Sequence, residues 1–202
     1  MEKLCFLVLI SLSFVFGQQS KLKKPLNAFT VFLHNYTELF MICRHNIFSY
    51  VTKKEANDLP IFWSKVRGYI LGVYRPKIFF KAPEIPIAPG YICVSWKSIQ
   101  GLVELWVEWK PKMRRSLETG LSVGIEAMLI LGQDQDSFCG RFSVSHSSVG
   151  DIGDVNMWIF VVSPEEIGTV YASGIYSPNV LDLWALTYKT HPEVFVKPQV
   201  WP

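Results

Sequence analysis

A series of short segments rich in β-branched and aromatic residues, separated by turn residues, constrains this fold more than any other feature. The alternation is clearest over residues 102–109, where Val103, Leu105 and Val107 point to one side of an extended strand. The same composition predicts further strands over residues 29–34, 47–52, 61–74, 78–80, 91–96, 127–131 and 156–162. Short strands at regular spacing indicate an all-β, antiparallel jelly-roll sandwich.

One short helix is predicted over residues 163–173. Ser163 can cap its N-terminus, Pro164 suits the first helical position, and Glu166 completes a capping box. Gly174 can end the helix. We expect no other helix in this domain.

Residues 1–17 have the pattern of a secretory signal peptide. Lys3 precedes an apolar run over residues 4–16, which is too short to be a membrane anchor, the alternative interpretation. We therefore expect cleavage after Gly17 and one domain over residues 18–202. The location would be extracellular, with no membrane span.

Charge and motifs argue against two classes of function. The net charge of +3 is too small to indicate nucleic-acid binding. Basic stretches at residues 21–24 and 112–115 are interpreted as solvated loop charges, with a polyanion-binding patch as the alternative. The chain has no His-Glu-x-x-His or Cys-x-x-Cys motif, and we do not expect an enzyme.

Cysteine spacing and one sequon bear on processing. Cys5 lies in the predicted leader, which leaves Cys43, Cys93 and Cys139, so at least one thiol is free or intermolecular. Asn35 begins an Asn-Tyr-Thr sequon and is a candidate for N-glycosylation if that face of the strand is exposed.

An acidic loop over residues 131–138 follows a predicted apolar strand. Asp134 and Asp136 are separated by Gln135, so two carboxylates and an intervening carbonyl lie close together. Hard cations such as Ca²⁺ take six to eight oxygen ligands, which loops of this kind supply. The sequence thus suggests a calcium loop.

Three further stretches give the chain a family resemblance. They are Val-Gly-Asp-Ile-Gly-Asp-Val-Asn-Met-Trp at 149–158, Tyr-x-Cys-x-Ser-Trp-x-Ser at 91–98 and Lys-Pro-Gln-Val-Trp-Pro at 197–202. With the acidic loop, they resemble the short pentraxins, nearest to the mucosal type, over residues 24–202. The family signature has histidine where this chain has Tyr91. Relative to the family, about twenty residues and the first strands are missing before Lys24.

The resemblance implies a secreted jelly roll of innate immunity that assembles as a homo-oligomer, usually a pentamer. Such a lectin-like ring binds phosphorylated, glycan or lipid-headgroup ligands through up to two Ca²⁺ per subunit. The family's calcium ligands fall here on Ala56, Asn57, Asp134, Gln135, Asp136, Ser143 and His146. Three of these places are weakened, because Ala56 has no side-chain oxygen, Ser143 is neutral and His146 offers nitrogen. We expect at most one weak ion, with Asp58 able to contribute.

The resemblance also locates a choline pocket and a disulfide, and both are altered. Phe62 is in the place of the apolar choline contact, but Lys77 replaces the acidic partner of the choline cation. Phe32 replaces the cysteine that would pair with Cys93, so we expect Cys93 to be unpaired. Two hypotheses follow: a secreted pattern-recognition protein with weakened calcium dependence, or a decayed family member that folds poorly and does not bind.

Overall fold

The computed structural model describes residues 4–8, 15–16, 22–37, 44–53, 58–64, 67–74, 76–81, 90–137, 140–142, 144–173, 177–182, 189–190 and 194–198. Its strands are β1 Leu4–Val8, β2 Val15–Phe16, β3 Ala28–Tyr36, β4 His45–Thr52, β5 Leu59–Ser64, β6 Gly68–Gly72, β7 Lys77–Phe80, β8 Gly90–Lys97, β9 Leu102–Val107, β10 Lys110–Ser116, β11 Ala127–Leu131, β12 Gln135–Ser137, β13 Gly140–Phe142, β14 Gly150–Trp158, β15 Leu181–Asp182, β16 Lys189–Thr190 and β17 Val194–Pro198. The helix α1 spans Pro164–Ser173, and two 3-10 helices span Ser98–Gln100 and Val144–His146.

Two antiparallel sheets form the body of the described chain. The first sheet has the strand order β10-β9-β8-β3-β14-β1-β17, with β15 beside β14. The second sheet has the order β16-β2-β11-β4-β5-β6-β7, and β12 pairs with β13 as a separate hairpin. The predicted antiparallel sandwich is confirmed. Within the described ranges, no helix is long and apolar enough to cross a membrane.

The alternation along β3 directs its side chains into two apolar cores, one between the sheets and one under the helix. Phe29, Val31 and Leu33 point into a core between the sheets, which also contains Phe48 and Ile61 of the second sheet. Burial of such apolar side chains contributes roughly 25 cal/mol for each Å² removed from water. The sandwich is therefore held together mainly by one continuous apolar interior.

The helix α1 covers the outer face of the first sheet. Its Ile167 and Val170 lie in a second apolar cluster with Phe32, Cys93 and Trp106 of the strands beneath. These three strand residues are direct cross-strand neighbours, since Phe32 is opposite Cys93 and Cys93 is opposite Trp106. The period-two alternation thus places the outward side chains of β3, β8 and β9 under the helix.

The capping box predicted for α1 is present. The amide of Glu166 donates to Oγ of Ser163 at 3.3 Å, and the amide of Ser163 donates to Oε2 of Glu166 at 2.8 Å. These two bonds satisfy backbone donors that a helix N-terminus otherwise leaves unpaired.

Two strand predictions and one loop interpretation differ from the structure. Residues 61–74 form a hairpin of β5 and β6, which turns before Gly68 at φ 73°, rather than one strand. The strand predicted at 156–162 is β14, which ends at Trp158. The basic stretch 112–115 is not a loop, because it lies in β10 at the edge of the first sheet. Exposed Lys and Arg on an edge strand discourage pairing with another chain.

The hairpin between β9 and β10 retains a left-handed turn without glycine. Glu108 has φ 49° and Trp109 has φ 52°. A two-residue hairpin turn with both residues at positive φ normally contains Asn, Asp or Gly, because a Cβ atom is strained there. The backbone of these two residues is therefore strained, and the strand predicted over residues 102–109 ends at Val107.

The structure places parts of the predicted leader within the sheets. The backbone of β1 pairs with β14 on one side and with β17 on the other, and β2 pairs with β11 and β16. Cleavage after Gly17 remains a prediction, and it would remove both strands from this arrangement.

Cys93 is buried between Phe32 and Trp106 under α1. It has no disulfide partner among the residues that the structure describes, and Cys43 and Cys139 lie outside them. Burial, followed by the nearby charge of Glu104, raises the pKa of the Cys93 thiol. A thiol held protonated in an apolar site is a poor nucleophile and metal ligand.

Candidate ligand-binding site

The candidate site lies where the loop after β11 meets the first residues of β4. The amide of Gly132 donates to the carbonyl of Ile47 at 3.1 Å, and the amide of Ser148 donates to the carbonyl of Gly132 at 2.7 Å. Gly132 has φ 79°, a conformation that glycine adopts without strain. These contacts turn the acidic loop back over the sheet and fix its position.

Two glutamines anchor the loop from inside. Nε2 of Gln133 donates to Oγ of Ser147 at 2.8 Å, and Oε1 of Gln133 accepts the amide of Asp134 at 2.9 Å. The side chain of Gln135 is buried and its Nε2 donates to Oγ of Ser49 at 3.2 Å. The side chain of Gln135 therefore holds the loop against β4. Its backbone carbonyl is the atom predicted to face an ion.

Asp134 is a buried carboxylate with partners on both oxygens. Its exposed fraction is 2 %. Nδ2 of Asn46 donates to Oδ1 at 3.2 Å, and Nδ1 of His146 lies 3.2 Å from Oδ2. The second contact has the distance of an ion pair but not the angle of a hydrogen bond. A metal ion would have to compete with both partners for this carboxylate.

The orientation of His146 follows from its other neighbour. Nε of Arg44 donates to Nε2 of His146 at 3.3 Å. Nε2 is therefore the acceptor of this ring, and Nδ1 is the ring nitrogen on the side of Asp134. Arg44, His146 and Asp134 thus form a chain of contacts from the surface into the loop.

Phe62 forms the aromatic floor of the site and has positively charged neighbours. Its side chain is 1 % exposed. The guanidinium carbon of Arg44 is 4.8 Å from the ring centroid, and Nζ of Lys77 is 5.6 Å from it. The ring of His146 meets that of Phe62 edge-on, with centroids 6.2 Å apart. Both pocket residues identified by resemblance therefore lie in the same place.

The remaining predicted ligands are incompletely described. Asn57, with Ala56 and Ser143, lies outside the described residues, and Asp136 is described only as part of the backbone of β12. Asp58 is buried, and its Oδ2 accepts the amide of Thr52. Among the described side chains, no group of three or more His, Cys, Asp or Glu is arranged to hold a metal ion.

Arg44 and Asn46 were not selected from the sequence. The register of β4 and β5 places Asn46 opposite Phe62, and a register irregularity follows between Asn46 and Phe48. No sequence motif marks Arg44, which lies just before β4. It is identified as a site residue only from the pairing of β4 with β5.

One sequence pattern outside the site resembles a catalytic motif. Residues 120–124 read Gly-Leu-Ser-Val-Gly, which matches Gly-x-Ser-x-Gly. A nucleophile elbow needs a sharp turn from a strand into a helix. Here the segment lies between β10 and β11, and Val123 pairs with Leu26 in an isolated bridge. The match therefore does not indicate a hydrolase.

The position that departs from the family signature lies under α1, away from the candidate site. The hydroxyl of Tyr91 donates to Oδ2 of Asp154 at 2.8 Å, and its amide donates to Oε1 of Glu108 at 2.7 Å.

Asn35 lies near the end of β3 with a partly exposed side chain, and its glycosylation remains a prediction.

Comparisons with known proteins agree on one relationship. The family model described as "Pentaxin family" matches residues 11–198. C-reactive protein from Cavia porcellus is 57% identical over 220 residues, covering 98% of each chain, and that from Homo sapiens is 52% identical over 224 residues, covering all of both. A heptameric SAP-like pentraxin from Limulus polyphemus superposes with a TM-score of 0.87 at 18% identity, covering 98% of this chain and 95% of that one.

Proposed function

The chain belongs to the pentraxin family, and we propose that it is a secreted pattern-recognition protein whose ligand binding has a weakened dependence on calcium. Pentraxins such as C-reactive protein bind ligands rather than catalyse reactions. The observation that supports weakened calcium dependence is the engagement of Asp134 by both Asn46 and His146. Secretion agrees with the predicted leader.

The donors present do not fit a full pair of calcium ions. Ca²⁺ takes oxygen ligands, and its affinity in protein loops falls towards millimolar dissociation constants as charged ligands are lost. By family resemblance, Ala56 and Ser143 each replace an acidic ligand, and His146 offers a nitrogen in place of an oxygen. Because Nδ1 of His146 lies 3.2 Å from Oδ2 of Asp134, the ring also lies against the carboxylate that the ion would need. One weak ion, held by Asp134 and Asp136 with Asn57 and the Gln135 carbonyl, is the most that we propose.

Assembly is proposed from the relatives. The Limulus polyphemus structure is heptameric, and family resemblance indicates a pentamer, so we propose a homo-oligomeric ring. A ring increases the avidity for a repetitive surface, because each further subunit binds at a high effective concentration. Weak individual sites can therefore still recognise phosphorylated, glycan or lipid-headgroup surfaces.

The alternative, a decayed family member, is favoured by particular features of the fold. Two residues of the β9–β10 turn are in a left-handed conformation, which costs roughly 1–2 kcal/mol for each residue other than glycine. A missing family disulfide typically costs about 2–5 kcal/mol. Together these approach the stability of an ordinary domain, about 5–15 kcal/mol.

Secretion from a eukaryotic cell, followed by sizing with and without Ca²⁺, separates the two hypotheses. We expect a soluble oligomer of defined size that persists in a calcium chelator. Intracellular retention, or a secreted product that elutes as aggregate in both buffers, would favour the decayed member instead.

A further inference from the structure

The strand β1 has a central position in the first sheet, although it lies within the predicted leader. Its backbone pairs with β14 over residues 5–8 and with β17 over residues 4–8. Both pairings are antiparallel, so β14 and β17 run parallel to each other on either side of β1. Because neighbouring strands are about 4.8 Å apart, roughly 10 Å separates β14 from β17.

The two C-terminal strands are joined to the described sheets through the N-terminal segment. In the first sheet β17 is the end strand and pairs with β1, and in the second sheet β16 is the end strand and pairs with β2. Both β1 and β2 precede Gly17, the predicted cleavage position. Removal of residues 1–17 would therefore leave β16 and β17 without a hydrogen-bonded neighbour among the described strands.

The slot that cleavage would leave between β14 and β17 lies over the apolar core. Ile152 of β14 and Val194 of β17 are buried in the core between the sheets, and Val196 packs against it. The peptide groups that pair with β1 would lose their partners beside this core, and unpaired backbone groups next to an apolar interior are costly. Direct pairing of β17 with β14 would require β17 to move by about one strand spacing, roughly 5 Å.

The sequence of β1 suits a central strand as well as it suits a leader. Residues 4–8 read Leu-Cys-Phe-Leu-Val, with no charge, proline or glycine. A strand with neighbours on both sides uses its amides as donors, which excludes proline, and an interior position favours apolar residues. A signal peptide requires the same kind of apolar run. One segment can therefore meet both requirements.

We propose that residues 4–8 have a second role as a structural strand, which fills the slot between β14 and β17 and attaches the C-terminal strand to the sandwich. In the unprocessed chain, the slot is occupied by this segment of the same molecule. Cleavage of the leader empties the slot and weakens the attachment of β17. This role is independent of the proposed ligand-binding function, because it involves neither calcium nor a ligand.

The first test compares the unprocessed and processed forms of the full chain. Cell-free translation without and with microsomal membranes gives the two forms, and the same mild detergent is added to both. Pulse proteolysis over a urea series then measures the folded fraction. We expect the urea midpoint of the unprocessed form to be higher by about 1 M, the order expected when several backbone hydrogen bonds are lost.

Two other results of this comparison would count against the structural role of β1. A processed form with an equal or higher midpoint would overturn it and would leave the proposed ligand-binding function standing. The absence of a protease-resistant population in both forms would contradict both proposals, because neither form would then fold.

A pair of variants of the unprocessed form separates backbone pairing from side-chain effects. Phe6 lies opposite Ile152 in β14 and opposite Val196 in β17. Phe6→Pro removes a backbone donor from a strand that is paired on both sides, and should abolish the gain in midpoint. Phe6→Ala keeps the amide, so it is the matched control and should remain the more stable of the two. Equal midpoints for the two variants would overturn the strand pairing.

The natural Cys5 tests the register of the inserted strand. Cys5 lies opposite Lys197, whereas Phe195 lies opposite Leu7. Opposed Cα atoms in an antiparallel pair are about 4.5–5.5 Å apart, within the span of a disulfide. A displacement of two residues adds about 6.8 Å along the strand and takes a pair out of that range.

Oxidation of the unprocessed Lys197→Cys variant should therefore link positions 5 and 197, as read by peptide mapping. Phe195→Cys, in the same strand, is the matched control and should form no link to Cys5. Linkage to Cys5 in both variants, or none in Lys197→Cys, would show that residues 4–8 do not lie in the slot in this register and would overturn the proposal.

Discussion

Replacing Phe32 by cysteine should create a disulfide with Cys93 that stabilises the oxidised protein. The two residues are direct partners in the antiparallel pairing of β3 with β8. Opposed residues in such a pair have Cα atoms about 4.5–5.5 Å apart, which lies within the range that disulfides span. The bond closes a loop of about 60 residues, and the chain-entropy relation gives roughly 4 kcal/mol for that length.

The substitution also removes a buried ring, so the net effect is smaller. Phe32 is 3 % exposed in the cluster under α1, and truncating a buried phenylalanine to alanine costs about 3–5 kcal/mol. We therefore expect Phe32→Cys to be destabilised by about 3 kcal/mol under reducing conditions. Under oxidising conditions it should match or slightly exceed the unaltered protein, a difference of roughly 4 kcal/mol between the two states.

The assay is urea denaturation of the variant with and without reductant, with peptide mapping of the oxidised form. Phe32→Cys combined with Cys93→Ser is the matched control, because it loses the ring but cannot form the bond, and its stability should not depend on reductant. A peptide linking positions 32 and 93 must accompany the gain. If position 32 pairs with another cysteine, or if oxidation leaves the midpoint unchanged, the register deduced for β3 and β8 is wrong.

Two further pairs of substitutions test local features of the fold by the same denaturation assay. Trp109→Gly should stabilise the protein by about 1 kcal/mol, because glycine adopts the positive φ of this turn without strain and the Trp109 side chain is 51 % exposed. Glu108→Gly should instead destabilise it, since Oε1 and Oε2 of Glu108 accept hydrogen bonds from Tyr91 and Tyr171; a gain for both variants would contradict this distinction. Ser163→Ala should lower the free energy of unfolding by about 1 kcal/mol, because it removes the N-cap of α1. Thr169→Ala, on the exposed face of the helix, is the control and should lower it little. Equal losses would mean that the capping box contributes nothing.

Local patterns predicted the parts of the fold that local physics controls. The alternation along β9 and the capping box at Ser163 each depend on residues within one turn or one strand, and both are present. The sequence predicts one strand over residues 61–74, where the structure has a hairpin, because apolar residues continue on both sides of the turn before Gly68. The sequence does not predict the edge strand β10, because this exposed edge carries cations in place of an apolar alternation.

The candidate site was predictable in its residue types but not in its contacts. Asp134, Gln135 and Phe62 follow from family resemblance, whereas the contact of His146 with Asp134 joins residues whose geometry depends on the folded loop. The position of Arg44 over Phe62 arises from the pairing of β4 with β5 and has no sequence pattern of its own. The charge reversal at Lys77 is therefore predicted from the resemblance, whereas the contribution of Arg44 is clear only from the packing of these strands.

A calcium titration of the secreted protein measures directly how far its calcium binding is weakened. We expect at most one ion with a dissociation constant on the order of 10⁻⁴ M or weaker in the unaltered chain. We also expect tighter binding when Ala56→Asp and Ser143→Glu are combined with His146→Gln, which restores two charges and releases Asp134 from its ring partner. Circular dichroism of the combined variant, recorded before the titration, verifies that it is folded. Two tightly bound Ca²⁺ ions per subunit in the unaltered protein would contradict the proposed weakening of calcium binding.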